Sequence, residues 1–104
     1  MTELKVTLEH LESMVVLHTV GPVDTNTAAQ LQEPLLGAAE GPTGGVALDL
    51  AELTYMSSAG LRVLLLAAKA LKKRGERLRL VNVPPHTYNI LNLAGFTSFI
   101  DIKP

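Results

Sequence analysis

Apolar and polar residues alternate near the start of the chain, with Leu4, Val6 and Leu8 set against Lys5, Thr7 and Glu9. A period of two sends successive side chains to opposite faces, so this segment predicts a half-buried strand. His10-Leu11-Glu12-Ser13 can turn the chain. Met14 to Val20 then reads as apolar on both faces, the pattern of a more central strand. The short connection makes the pair an antiparallel hairpin. Gly21-Pro22-Val23-Asp24 is expected to break the second strand. Thr25 or Asp24 is expected to cap the helix that follows by accepting a bond from a free backbone N–H. In that helix Ala28, Leu31, Leu35 and Ala38 recur at helical spacing. Pro34 lies inside it, deletes one backbone bond and crowds the preceding turn, which predicts a kink between Gln30 and Pro34.

Gly41-Pro42-Thr43-Gly44-Gly45 reads as an exposed loop. Val46, Leu48 and Leu50 predict a third strand, with Ala51 to Met56 expected to be a loop that leads to two adjacent serines, Ser57 and Ser58. A second helix is expected from Ser58 to about Arg74, stopped by Gly75 in the left-handed conformation. Leu78 to Val83 predicts a fourth strand. Pro84-Pro85 opens a third helix, since proline is tolerated in the first turn. Gly95 ends it, with Phe96 placed for the apolar contact that accompanies such caps. Ser98 to Ile102 reads as a last short strand. The order β-β-α-β-α-β-α, with a final β, predicts an α/β fold. Its mixed, four- to five-stranded sheet starts with an N-terminal antiparallel hairpin and continues through crossover helices. Residues 1–104 read as one domain, without internal repeat or linker.

Composition narrows the function. The chain has 104 residues and no cysteine, which excludes disulfides, thiol catalysis and cysteine-based zinc sites. The formal net charge is −1, whereas nucleic-acid binders carry a basic surplus. The cluster Lys69, Lys72, Lys73, Arg74, Arg77 and Arg79 is expected to be a solvated helix end, where cations favour the helix dipole. No apolar run approaches the ~20 residues of a membrane span, and the charged, alternating start does not read as a signal peptide. The expectation is a soluble, cytoplasmic protein with no direct nucleic-acid or membrane partner.

The serines carry the candidate chemistry. A hydrolase nucleophile sits in Gly-x-Ser-x-Gly on a sharp turn between strand and helix. Here Met56 stands where the first glycine would, and the expected strand ends near Leu50. A base would have to be His10, His18 or His86, of which His18 reads as a structural residue within a strand. No spacing of His with Asp or Glu suggests a metal site, and Gly41 to Gly45 lacks the lysine of a phosphate-binding loop. No enzyme, cofactor or metal is expected. A serine here also serves as an ordinary helix N-cap, and Ser58 is the candidate cap. On a helical wheel Leu61, Leu64, Ala67, Ala68 and Leu71 form an apolar face. Ser58, Arg62, Leu66, Lys69 and Lys73 run along the opposite side, with Leu65 at its border; leucines among long cations read either as tolerated exposed residues or as the edge of a partner-binding face. Asp49 is expected to accept backbone N–H bonds and shape the loop before the serines, with Tyr55 and Met56 as its apolar anchors.

The stretch Asp49-Leu50-Ala51-Glu52-Leu53-Thr54-Tyr55-Met56-Ser57-Ser58-Ala59-Gly60-Leu61 resembles the signature of bacterial anti-sigma factor antagonists, which are single STAS domains. Gly21-Pro22-Val23-Asp24-Thr25-Asn26-Thr27-Ala28 and Leu91-Asn92-Leu93-Ala94-Gly95-Phe96 resemble two further segments of that family. The likeness spans nearly the whole chain. It implies an anti-sigma factor that is also a serine kinase as partner, with a protein serine phosphatase resetting the system. It implies phosphorylation at Ser58, with Ser57 as second choice, and partner contact through Asp24. Together with the outward stripe of the wheel, the expected partner-binding residues are Asp24, Thr25, Ser57, Ser58, Ala59, Arg62, Leu65, Leu66 and Lys69. Ser57 stands where many relatives have an aspartate. The alternative within the same fold is a subunit of a lipid-transport ATPase or signalling scaffold, with Ser58 as a cap and no switch.

Overall fold

The computed structural model describes residues 3–42 and 44–104. Met1 and Thr2 of the charged start and Thr43 of the expected loop lie outside the described residues. The chain forms β1 (Lys5–His10), β2 (Met14–Val23), α1 (Ala28–Glu40), β3 (Gly45–Met56), α2 (Ser58–Lys72), β4 (Arg79–Val81), α3 (Pro85–Leu93), a 3-10 turn (Phe96–Ser98) and β5 (Asp101–Ile102). The five strands lie side by side in chain order. β1 is antiparallel to β2, as the hairpin requires, and every later pair is parallel.

One face of the sheet holds the core. Val15 and Leu17 of β2, Val46, Leu48 and Leu50 of β3, and Leu80 of β4 are buried there. Leu31 and Leu35 of α1 and Leu64, Ala67 and Leu71 of α2 close over them. The wheel is confirmed, with Val63 joining the buried side and Leu61 only half-buried. Leu8 shares a face with its partner Leu17 but is 42% exposed. β1 is an edge strand, and the packed layer reaches Leu4 and Val6 and stops short of Leu8.

Two strands are longer than their sequences suggest. β2 does not break at Gly21-Pro22 but continues to Val23. Gly21 takes φ +107°, and a Cβ there would lie 2.5 Å from the Glu3 carbonyl oxygen, so the close approach of the N-terminal segment requires glycine. β3 does not end at Leu50 but runs to Met56. The register between β2 and β3 slips twice, between His18 and Val20 and between Gly21 and Pro22. Each slip puts one extra residue on β3, a bulge of the kind that tolerates a proline opposite.

At the helix ends the outcome is mixed. α1 runs without interruption through Pro34. Gly75 and Gly95 both take positive φ, as the C-terminal stops predict, and Pro85 opens α3. β4 is shorter than Leu78–Val83, and Ser98–Ile102 resolves into the end of a 3-10 turn and the two-residue β5. Arg74 is no solvated cation. Its guanidinium donates to the carbonyls of Gly41 and Ala38, closing the C-terminal end of α1. Arg77 is held by Asp101 at 2.9 Å. Lys69, Lys72, Lys73 and Arg79 are exposed. Among the described residues no helix is long and apolar enough to cross a membrane.

Candidate functional site

β2 and β3 end together, with Val23 opposite Met56. The chain leaves each strand into a helix, so the starts of α1 and α2 stand at the same edge of the sheet. Ser57 is the hinge between β3 and α2. Its N–H donates to the Val23 carbonyl at 2.8 Å, and its carbonyl accepts the first bond of α2 from Leu61 at 3.0 Å. With φ −90° and ψ 175° it is still extended, and its hydroxyl accepts from the Gly60 N–H at 3.4 Å. Ser57 is therefore the N-cap. This corrects the assignment of the cap to Ser58, which is the first helical residue and is exposed.

The close fit of that first turn depends on Gly60. A Cβ at this position would lie 2.2 Å from the Met56 sulfur and 2.8 Å from a Val23 methyl group. The helix thus presses on the two strand ends, and this contact sets the direction in which Ser58 leaves the sheet. Ala59 is half-buried beside it. Along the outward side Arg62 and Lys69 are exposed, Leu65 is half-buried and Leu66 is 39% exposed. The first turn of α2 contains no acidic residue. Its free N–H groups and the positive end of the dipole are uncompensated by any carboxylate of that turn.

The start of α1 is built differently. Neither Thr25 nor Asp24 is the N-cap; Thr27 holds that position, without a side-chain bond into the helix. Asp24 instead closes the preceding turn, accepting from the N–H groups of Asn26 at 2.8 Å and Thr27 at 3.0 Å. The Thr27 hydroxyl accepts from the Asp24 N–H at 2.9 Å and donates to the Pro22 carbonyl at 2.8 Å. Thr27 is buried, Asp24 half-buried and Thr25 exposed. Asp24 and Thr25 thus stand at the same sheet edge as Ser57, Ser58 and Ala59, while Leu65, Leu66 and Lys69 continue the surface along α2. Thr27 and Gly60 support this site and were missed in the sequence. Both residues stand in segments that carry the family resemblance, and neither has a bonding or packing role that the sequence pattern alone reveals.

The strand-to-helix turn at Ser57 corrects one argument against a hydrolase, because β3 does reach the serines. The histidines still give no triad. His18 is paired with Asp49 across the sheet, seven residues before Met56, which is roughly 23 Å along a strand. His10 lies at the opposite end of the hairpin, against Val15. His86 is exposed at the start of α3.

His18 belongs to a polar staple on the outer face of the sheet. Its Nε2 meets Glu9 at 2.8 Å and its Nδ1 meets Asp49 at 3.1 Å. Asp49 also accepts from the Ala51 N–H at 3.0 Å, at the first bulge, and from Asn82 at 3.1 Å. The expected backbone bond to Asp49 is present, but it stabilises a bulge within β3 and no loop. The Glu9 carboxylate, with Asp49, raises the His18 pKa above its ordinary 6.5. Partial burial pushes the Asp49 carboxyl up, but the bonds from Ala51, Asn82 and His18 outweigh it and hold it below 3.8. Met56 is buried as an anchor, whereas Tyr55 is 56% exposed and lies outside the buried core cluster.

Residues 5–104 match the STAS domain. The chain belongs to the STAS domain family. Over 99 residues it is 34% identical to BtrV of Bordetella bronchiseptica, named as an anti-sigma factor antagonist, covering 95% of this chain and 85% of that protein. An anti-sigma factor antagonist from Mycobacterium paratuberculosis has the same fold, with a TM-score of 0.88 at 20% identity over 98% of this chain and 86% of that one. The Bacillus cell-fate determinant SpoIIAA in its phosphorylated form gives a TM-score of 0.75 at 20% identity, over 94% of this chain and 90% of that one. At that identity the likeness is one of fold. The five-stranded mixed sheet with three helices is the STAS architecture that the sequence resemblance implied.

Proposed function

We propose that this STAS domain is an anti-sigma factor antagonist switched by phosphorylation at Ser58. In this reading the unphosphorylated chain binds an anti-sigma factor that is also a serine kinase and so frees the sigma factor; a serine phosphatase restores that form. The names of the relatives support the antagonist role. The observation that carries the switch is the division of labour between the two serines: Ser57 caps the helix, and Ser58 presents an exposed hydroxyl one residue on.

The physics of the switch follows from that placement. A phosphate on Ser58 adds about −1.5 to −2 charges at pH 7. It would sit at a helix start with no acidic residue in its first turn, where free N–H groups and the dipole favour an anion. Arg62, one turn on, is spaced to pair with it. The fold therefore tolerates the modification. A partner covering Ser58 would have to desolvate the dianion, and a penalty of about 3–4 kcal/mol weakens binding roughly 10²–10³-fold. The domain itself acts by binding and does no chemistry, and Asp24 and Thr25 extend the covered surface across the sheet edge.

The test is to incubate the chain with ATP and the cognate kinase, captured from the source cell with Ser58→Ala as bait, and to locate the phosphate by mass spectrometry. The expected result is phosphate on Ser58 in the natural chain and none in Ser58→Ala, which still binds the kinase. A chain that binds its partner stably and takes up no phosphate would instead be a constant subunit of a transport ATPase or scaffold.

A further inference from the structure

Past the serines, the exposed stripe of α2 runs into an open groove of about 520 Å³. Leu65, Ala68, Lys69 and Lys72 of α2 form one wall, and Arg77 and Phe99 form the other. The apolar part of the lining is Leu65, Ala68 and Phe99, of which Ala68 is buried. Phe99 is braced by Phe96, with ring centroids 5.1 Å apart. The rim is cationic. Among the described residues neither Lys69 nor Lys72 has an ion-pair partner, while Arg77 is fixed by Asp101. Glu76 is the one acidic residue of the lining.

We propose that this groove receives an acidic segment of the protein that docks on the Ser58 face. One apolar side chain of that segment enters the trough between Leu65, Ala68 and Phe99, and its carboxylates meet Lys69 and Lys72. The inference rests on the partner-binding reading of α2 and deepens it by stating the chemistry of the partner. Two observations select this occupant. Leu65 and Lys69 belong both to the exposed stripe and to the groove, so a partner lying on the stripe continues into it. The two unpaired lysines favour carboxylates over a neutral or basic chain. From Ser58 to Lys72 is roughly 21 Å along the helix, within the span of an interface that covers about 800 Å² per partner. The nearer lysine, Lys69, is still roughly 16 Å from Ser58 along the helix, beyond the screening length of about 8 Å at physiological salt. A charge on Ser58 therefore leaves the groove's own affinity for an acidic segment unchanged.

The test uses three synthetic peptides against the full chain labelled with ¹⁵N: acetyl-DEEFLEDE-amide, its basic counterpart acetyl-KKKFLKKK-amide, and acetyl-DEEGGEDE-amide, which lacks the apolar pair. The first is expected to move the amide signals of residues 65–76 and 98–99. The other two are expected to bind at least about tenfold more weakly. The exposed double variant Lys69→Glu/Lys72→Glu should lose the first peptide by a similar factor, and Ser58→Glu should keep it. The proposal is overturned if the basic or glycine peptide binds equally well. It is also overturned if the double variant binds as the natural chain does, if the shifts gather on the opposite sheet face around Val16 and Val81, or if no shift appears at millimolar peptide. Phosphate uptake at Ser58 is read separately, so loss of the groove and loss of the switch give different results.

Discussion

Two helices start at the same edge of the sheet, and their starts are built in opposite ways. At α1 the polar groups bond one another: the Asp24 carboxylate takes two N–H groups, and the Thr27 hydroxyl joins the Asp24 N–H to the Pro22 carbonyl. At α2 a single long bond from Gly60 to Ser57 does the capping, and the next hydroxyl, Ser58, faces solvent. The first start is a lock. The second holds its shape mainly by apolar contact, with Gly60 pressed on Val23 and Met56. A helix start secured by packing can carry a new charge on its outer side without breaking the contacts that hold it.

The contrast can be broken where packing is decisive. Gly60→Ala gains about 1 kcal/mol of helix propensity, but the Met56 sulfur and the Val23 methyl group both have to give way. The expected net result is a loss of about 1–3 kcal/mol, read as a lower midpoint in urea unfolding. Unchanged stability would mean that α2 is not held by this contact.

Capping sharpens the same comparison. Thr27→Ala leaves the Asp24 N–H and the Pro22 carbonyl without their partner and should cost about 1–3 kcal/mol. Ser57→Ala removes one long bond and should cost about 0.5–1 kcal/mol. Denaturant melts of the two variants, run side by side, check the order. If Ser57→Ala is the more damaging, the lock belongs to α2.

The smallest effect concerns the outer face. The His18 pKa is raised by Glu9 and Asp49, so its contribution to stability is fully present below the ordinary 6.5 and is lost as pH rises through the higher folded value. The Asp49 pKa is lowered, so its contribution is present above 3.8 and is lost as pH falls through the folded value. Both act together between those limits. Since His18 is solvent-accessible, its share is under about 1 kcal/mol. His18→Gln should flatten the stability curve between about pH 6 and 8, measured by urea melts across that range. A curve that keeps its slope would assign the dependence to another group.

Most of the architecture was legible because period two and period 3.6 are strong signals wherever the backbone is regular. Val15 and Leu17 in β2, and Leu64, Ala67 and Leu71 in α2, lie where the pattern puts them. The second half of β3 was illegible for a definite reason. Its buried residues run Val46, Leu48, Leu50 and then Leu53 and Met56, because each bulge inserts a residue and turns a step of two into a step of three. The same bulges let β2 pass Gly21 and Pro22, residues that ordinarily end a strand. The cap of α2 was readable to within one residue. Adjacent serines share one cap signature, and only the extended backbone of Ser57 separates the cap from the first helical residue. Arg74 shows the other limit: a basic cluster looks solvated in sequence, yet one member reaches across to the carbonyls that end α1. Tyr55 went the other way, from expected anchor to exposed ring.

The central claim is that charge on Ser58 acts on the partner and leaves the fold unchanged. It is tested most directly by calorimetric titration of the cognate anti-sigma kinase with the unmodified chain, Ser58→Ala and the chain phosphorylated at Ser58, with a thermal melt of each. The account predicts that Ser58→Ala binds like the unmodified chain and that the phosphorylated chain binds roughly 10²–10³-fold more weakly. All three should have stabilities within about 0.5 kcal/mol of one another. Equal affinity of the phosphorylated and unmodified chains, or a phosphorylated chain that fails to bind because it has unfolded, would contradict it.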